Sequence, residues 1–163
     1  MRHEPKYKVG KAMLAGIIFA FLKGGMKAAS RLDSNVKELI DTFPEGYVIT
    51  LRILPYKPCM SIKKSNGKFV GAKREDAPDL EIAFKNIDVA ISYLIGKRSI
   101  RDAYCRSSIV TRGSVGDTVA LVECFNIVEN YLFPNLITSK ILDGGYKKQV
   151  SSLRMYLGAI FGV

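Results

Sequence analysis

Few residues in this chain have a type and spacing that could do chemistry, and each set can be tested in turn. The single histidine, His3, stands two residues from the start of the sequence, where chains usually fray. A Ser-His-Asp or Cys-His relay needs a positioned imidazole, so the body of the chain has none to offer. The three cysteines, Cys59, Cys105 and Cys124, include no C-x-x-C pair and no companion histidines to complete a zinc site. An odd, sparse set of thiols fits a reducing compartment in which each is a small core hydrophobe. The expectation is therefore a cytoplasmic chain with no metal and no cofactor. Asp79 and Glu81 lie two apart on a strand-like run, hence on one face. That spacing suits acid–base work, yet the face opposite Leu80, Ile82 and Phe84 is a solvent face. Gly96-Lys97 ends a helical pattern where a phosphate loop would begin one, and the leading glycine is missing. Gly113-x-x-Gly116 before a helix can present N–H groups to an anion, but a structural strand-to-helix turn accounts for it better. No catalytic residue is assigned, and the chain reads as a non-enzyme.

The charge is informative in another way. Over 163 residues, 25 Lys+Arg against 15 Asp+Glu leave a net charge of +10. The length suits one domain able to bury a sizeable core. Residues 1–31 hold seven basic groups against Glu4, and residues 57–74 hold six against none. A third cluster comprises Lys97, Arg98, Arg101, Arg106 and Arg112, facing Asp102. Such blocks read as attraction to a polyanion, either nucleic acid or an anionic membrane, or else as a solvated basic face with no dedicated partner. Nucleic-acid use would want aromatics exposed among the charges, whereas Phe69 and Tyr104 occupy apolar-patterned positions.

The elements that must position these residues follow from periodicity. Residues 12–22 read AMLAGIIFAFL between Lys11 and Lys23, too short to cross a bilayer, which needs about 20 residues. A signal peptide is disfavoured because Lys23 and Lys27 precede the small residues Ala28-Ala29-Ser30. The segment reads as a buried or membrane-surface helix ended by Gly24-Gly25. Asn35 with Glu38 gives a capping signal for a helix burying Val36, Leu39, Ile40 and Phe43. Tyr47–Leu54 alternates as a strand, and residues 59–64 and 68–72 form a hairpin around Asn66-Gly67. Residues 79–84 form a fourth strand. Asn86 caps a helix carrying Ile87, Ala90, Ile91, Leu94 and Ile95 on one face. Ser99–Cys105 reads as a short helix and 107–112 as a last strand. The helix over about 117–132 is apolar round most of its circumference, with a narrow polar stripe of Glu123, Asn126 and Asn130 and Glu129 beside it. The tail, 153–163, is again mostly apolar. Strands grouped with helices between them give an α+β layer: a five-stranded, mainly antiparallel sheet with helices on one face.

Residues 78–122 carry a resemblance. PDLEIAF, a helix ending in LIGK and then SSIVTRGSVGDTVAL resemble the sterol carrier protein type-two family of lipid-binding domains. Asp79 opens the strand, Gly96-Lys97 ends the helix, and Ser107 through Gly116 supply the turn, strand and Gly-x-x-Gly. Ser107 stands where the family usually has glycine. The resemblance implies an apolar cavity between sheet and helices that holds a fatty acyl chain, sterol or phospholipid. Residues 1–32 are then a basic, apolar helical extension and 33–163 the lipid-binding domain. The candidate lining is Ile82, Phe84, Ile87, Ile91, Leu94, Val122 and Phe125, with Met155, Tyr156, Leu157, Ile160 and Phe161 as a lid. Lys63, Lys64, Lys68 and Arg74 would dock the cavity mouth on anionic membrane. The expected activity is lipid binding with membrane exchange. The alternative is a basic interaction module for protein or nucleic acid, its core filled by side chains.

Overall fold

The computed structural model describes residues 8–73, 76–94, 98, 102, 106–132 and 148–161. Five helices and five strands follow in the order α1 (Val9–Leu32), α2 (Ser34–Asp41), β1 (Val48–Ile53), β2 (Cys59–Ser65), β3 (Lys68–Gly71), β4 (Leu80–Phe84), α3 (Ile87–Leu94), β5 (Ile109–Arg112), α4 (Val115–Leu132) and α5 (Ser152–Phe161). The sheet order is β3-β2-β1-β4-β5. Only β1 and β4 run parallel, with Leu51 opposite Ile82, and the other three pairings are antiparallel. The α+β expectation stands, with one parallel pair at its centre.

Period-two alternation explains the layering. Ile49, Leu51, Ile53, Met60, Ile62, Phe69, Leu80, Ile82 and Phe84 point to the helical face and are buried. Thr50, Arg52, Ser61 and Glu81 point the other way. There Thr50 and Ser61 share a hydrogen bond at 2.8 Å and Arg52 meets Glu81 at 3.5 Å. The Asn66-Gly67 turn has both φ values positive, 52° and 68°, which matches the right-handed twist of the hairpin it closes. Asp79 sets the start of the parallel pair: its N–H donates to the Val48 carbonyl, and its Oδ2 accepts from the Val48 N–H at 2.8 Å.

Two helix boundaries differ from the sequence expectation. Gly24-Gly25 do not end α1, which runs 24 residues to Leu32. A Cβ on Gly24 would lie 2.1 Å from the Ala159 carbonyl oxygen, and one on Gly25 would lie 2.8 Å from Leu132 Cδ1. The glycines are there so that α5 and α4 can approach the α1 backbone. The second difference is the cap of α2. Asp33, not Asn35, holds the extended conformation and accepts from the Asn35 and Val36 amides at 3.0 and 3.2 Å. Its other oxygen accepts the Tyr131 hydroxyl at 2.7 Å, and that hydroxyl in turn accepts the Gln149 amide at 2.9 Å. Asn86 caps α3 as expected, accepting from the Asp88 amide at 2.7 Å.

At 24 residues, with a mean hydropathy of 1.5 in its most apolar window, α1 has the length and composition to cross a membrane; the shorter apolar run gave the opposite expectation. In the fold it lies against β2, β3, α2, α3, α4 and α5. Ala15, Phe19, Leu22, Met26 and Ala29 are buried in the same core as the sheet. Ser30 fastens it to the edge strand, accepting the Phe69 amide at 3.2 Å. Lys8 and Lys11 both pair with Asp88 at the start of α3.

Candidate functional site

The candidate lining residues come from three elements. Ile82 and Phe84 lie on β4, Ile87 and Leu94 on α3, and Val122 and Phe125 on α4; all six are buried in one hydrophobic core, with Ile91 half-buried against it. Phe84 stacks on Tyr93, ring centroids 6.2 Å apart, and the Tyr93 hydroxyl donates to Asp102 at 3.1 Å. Arg106 donates to the same carboxylate and holds it below the usual carboxylate range.

Further along α4, three polar residues enter this apolar setting. Glu129 is 4% exposed and Asn130 8%, and Asn130 Nδ2 donates to the Asn126 carbonyl at 2.8 Å. The Asn126 side-chain oxygen is buried with no hydrogen-bond partner. Burial alone pushes the Glu129 carboxyl up to about 8, so it is neutral at pH 7. The polar stripe was visible in the sequence, but its burial was not.

The candidate lid residues separate into two sets. Met155 is buried, and Tyr156 is half-buried, stacking on Phe21 and donating to the Leu132 carbonyl. Leu157, Ile160 and Phe161 project outward, at 47%, 63% and 70% exposed, as does Leu153. On α1, Val9, Met13, Leu14 and Ile17 are likewise exposed. On a helical wheel Leu14 and Ile17 continue the face whose later residues, Phe21 and Gly24, turn toward α5. Two adjoining helices thus each leave an apolar stripe uncovered.

Of the candidate docking lysines, Lys63 and Lys68 share the open face of the hairpin, Lys68 pairing with Ser65, while Lys64 is separated from them. Lys63 and Lys64 are consecutive on β2 and point to opposite faces. Lys63 is half-buried, and Lys68 is exposed. Lys64 is buried among the helices, its ammonium donating to the Phe43 carbonyl at 2.7 Å. It is therefore a structural residue and leaves the docking set. Arg74 lies outside the described residues, as does most of the 99–105 segment.

The remaining sites of possible chemistry resolve structurally. Asp79 is taken up by Val48, and Glu81 faces Arg52. Gly113 has φ 129°, and a Cβ there would meet Leu80 Cδ1 at 2.8 Å and the Asp79 carbonyl oxygen at 2.9 Å. Asp117, in the first turn of α4, accepts the Tyr47 hydroxyl at 2.6 Å, so a carboxylate already stands at this helix start. Burial, with Asp117 second, raises the Tyr47 pKa. Cys124 is buried and its thiol is pushed up to about 12, chiefly by burial. Cys59, contrary to expectation, is exposed. It borders a recess of about 300 Å³ on the open sheet face, lined by Thr50, Arg52, Tyr56, Ser61 and Glu81 among others. Among the described residues no group of His, Cys, Asp or Glu could hold a metal ion.

Compared by sequence, the chain matches no family model and no curated protein. Compared by structure, it aligns with sterol carrier protein 2 from Yarrowia lipolytica in its apo form, with a TM-score of 0.51 at 15% identity, over 80% of this chain and 99% of that one. The fold is that of sterol carrier protein 2. The sterol carrier protein domain 2 of Helicoverpa armigera aligns at 14% identity over 67% of this chain and 85% of its own, TM-score 0.49. A ubiquinone synthesis protein, UbiJ-SCP2, aligns at 11% identity over 74% and 99%, TM-score 0.47. Ser107 adopts φ 53°, the left-handed region that favours glycine.

Proposed function

We propose that this chain is a non-catalytic lipid-binding domain that takes its ligand from a membrane surface. The observation that carries the reading is a sterol-carrier fold in which α1 and α5, packed on each other, leave Met13, Leu14, Ile17, Leu153, Leu157, Ile160 and Phe161 uncovered. Burying three or four such side chains at the acyl boundary is worth roughly 5–10 kcal/mol before orientation costs. Lys11 and Arg154 are exposed on the same two helices, and a net charge of +10 favours an anionic leaflet. The apolar part of the docking face is then the α1–α5 side. Because Met155 and Tyr156 face inward on the helix whose other side carries Leu157 and Ile160, α5 stands between the membrane and the core. The domain works in the cytoplasm at the membrane periphery.

The test is mass spectrometry of the organic extract of the purified chain, together with uptake of parinaric acid and flotation with vesicles. Bound lipid, saturable uptake and retention on vesicles containing phosphatidylglycerol are expected, with Ile17→Asp and Leu157→Asp cutting vesicle retention about tenfold. An empty extract and no uptake at high micromolar probe would refute lipid binding. The second reading, a basic interaction module, has the polar recess on the open face in its favour. Salt-sensitive retention of RNA or protein without lipid uptake would select it.

A further inference from the structure

Two polar residues of α4, Asn126 and Glu129, reach into the apolar interior, and among the described residues the Asn126 side-chain oxygen is the one fully buried side-chain polar atom without a hydrogen-bond partner. Val122 and Phe125 belong to the apolar candidate lining; Asn126 and Glu129 stand one turn further on, four residues after each. Asn126 and Glu129 are themselves three apart, so their side chains are neighbours on the helix surface, with Cβ atoms roughly 5–6 Å apart. The Asn126 side-chain oxygen is buried and accepts nothing. Glu129 is 4% exposed and stands in the last turn of α4, where the helix dipole also disfavours negative charge. Burial is the sole cause of its raised pKa, with no hydrogen bond or nearby charge contributing. An unmatched acceptor beside a buried carboxyl costs folding free energy, and a ligand group able to bond both would recover it.

We propose that Asn126 and Glu129 form the polar end of the lipid site and select an uncharged lipid bearing a hydroxyl over a fatty-acid anion. This inference rests on the lipid-binding reading. The pairing follows from donor and acceptor inventory. A hydroxyl donates its proton to the Asn126 oxygen and accepts one from the neutral Glu129 carboxyl, satisfying both groups with one atom. A carboxylate head has no proton to donate, so the Asn126 oxygen stays unmatched, and it brings a charge into a site that keeps even its own carboxyl neutral.

The experiment uses the full chain with two fluorescent probes of the same polyene chain, parinaryl alcohol and parinaric acid, titrated at pH 7. The alcohol is expected to bind about tenfold more tightly, the size set by one unmatched buried acceptor. Glu129→Leu and Asn126→Leu are each expected to bring the ratio near one by weakening the alcohol and sparing the acid. Glu129→Gln keeps a donor and an acceptor and should hold most of the preference, an outcome a merely structural role would not produce. Equal affinities in the wild type, or a ratio unmoved by the leucine variant that folds, would overturn the inference while leaving lipid binding intact. Failure of both probes to bind would instead remove the reading on which it rests.

Discussion

Replacing Gly24 by alanine separates two opposed effects of similar size. In an exposed helix interior, glycine to alanine stabilises by about 1 kcal/mol. Gly16 is half-buried but has nothing within 4 Å of an added Cβ, so Gly16→Ala should show that gain. At Gly24 the added Cβ would sit 2.1 Å from the Ala159 carbonyl oxygen, where contacts under 3.0 Å are essentially never seen. The obstacle is backbone, so no rotamer change relieves it, and α5 must retreat by about 1 Å. That retreat loosens the buried Met155 and the Tyr156–Phe21 stack. Overpacking of this kind costs about 1–3 kcal/mol, and lost dispersion along α5 adds to it. The net expectation for Gly24→Ala is a loss of about 1–2 kcal/mol, set against a gain for Gly16→Ala. Urea unfolding of both variants with the wild type measures the difference, and near-ultraviolet circular dichroism reports the tyrosine environment. If Gly24→Ala is as stable as Gly16→Ala, α5 does not pack on α1 as described, and the docking face built on their contact fails with it.

Other expectations follow from individual contacts. A carboxyl raised from 4.5 to about 8 by burial retains its proton in the folded chain and loses it earlier in the unfolded one. Stability therefore falls as pH rises between those values, by about 1.4 kcal/mol per unit. Glu129→Gln should add up to about 3 kcal/mol near neutral pH and little near pH 4; parallel urea-midpoint profiles for the two proteins would contradict this. Ser107→Gly removes about 1–2 kcal/mol of left-handed strain and returns about 0.5–1 kcal/mol of backbone entropy. A net gain of about 0.5 kcal/mol by urea titration is expected, and a loss would argue against the φ of 53°. Lys64→Met strips the Phe43 carbonyl of its donor and should cost about 1–3 kcal/mol, whereas Lys68→Met, at an exposed position, should leave stability unchanged.

The strands were the most legible part of the sequence, because alternation is a local signal with a local cause. Ile49, Leu51 and Ile53 had to share a face whatever they packed against. The same rule places Lys63 and Lys64 on opposite faces, so grouping them by charge overlooked information that was present. Gly24-Gly25 was a different case: a glycine pair reads alike whether it ends a helix or admits a neighbour. Here the neighbour, Ala159, lies far along the chain. Asn35 offered the better local capping pattern, since Glu38 follows it, but Asp33 is held by Tyr131, 98 residues away. Likewise the polar stripe of Glu123, Asn126 and Asn130, with Glu129 beside it, was plain by spacing, but only tertiary packing buries Glu129 and Asn130.

The position of α1 has a consequence for how the chain is made. Within the domain α1 is made before everything that packs on it, and its coverings arrive in instalments: α2, then β2 and β3, then α3, then α4, and at the last α5. Synthesis runs at about 5–20 residues per second, so the strip around Gly24 stays open for several seconds until Ala159 emerges. Throughout that interval α1 is a long, greasy helix without its roof, the kind of segment that chaperones and nascent-chain receptors recognise. The order of the elements thus leaves the longest helix of the domain uncovered for most of its synthesis.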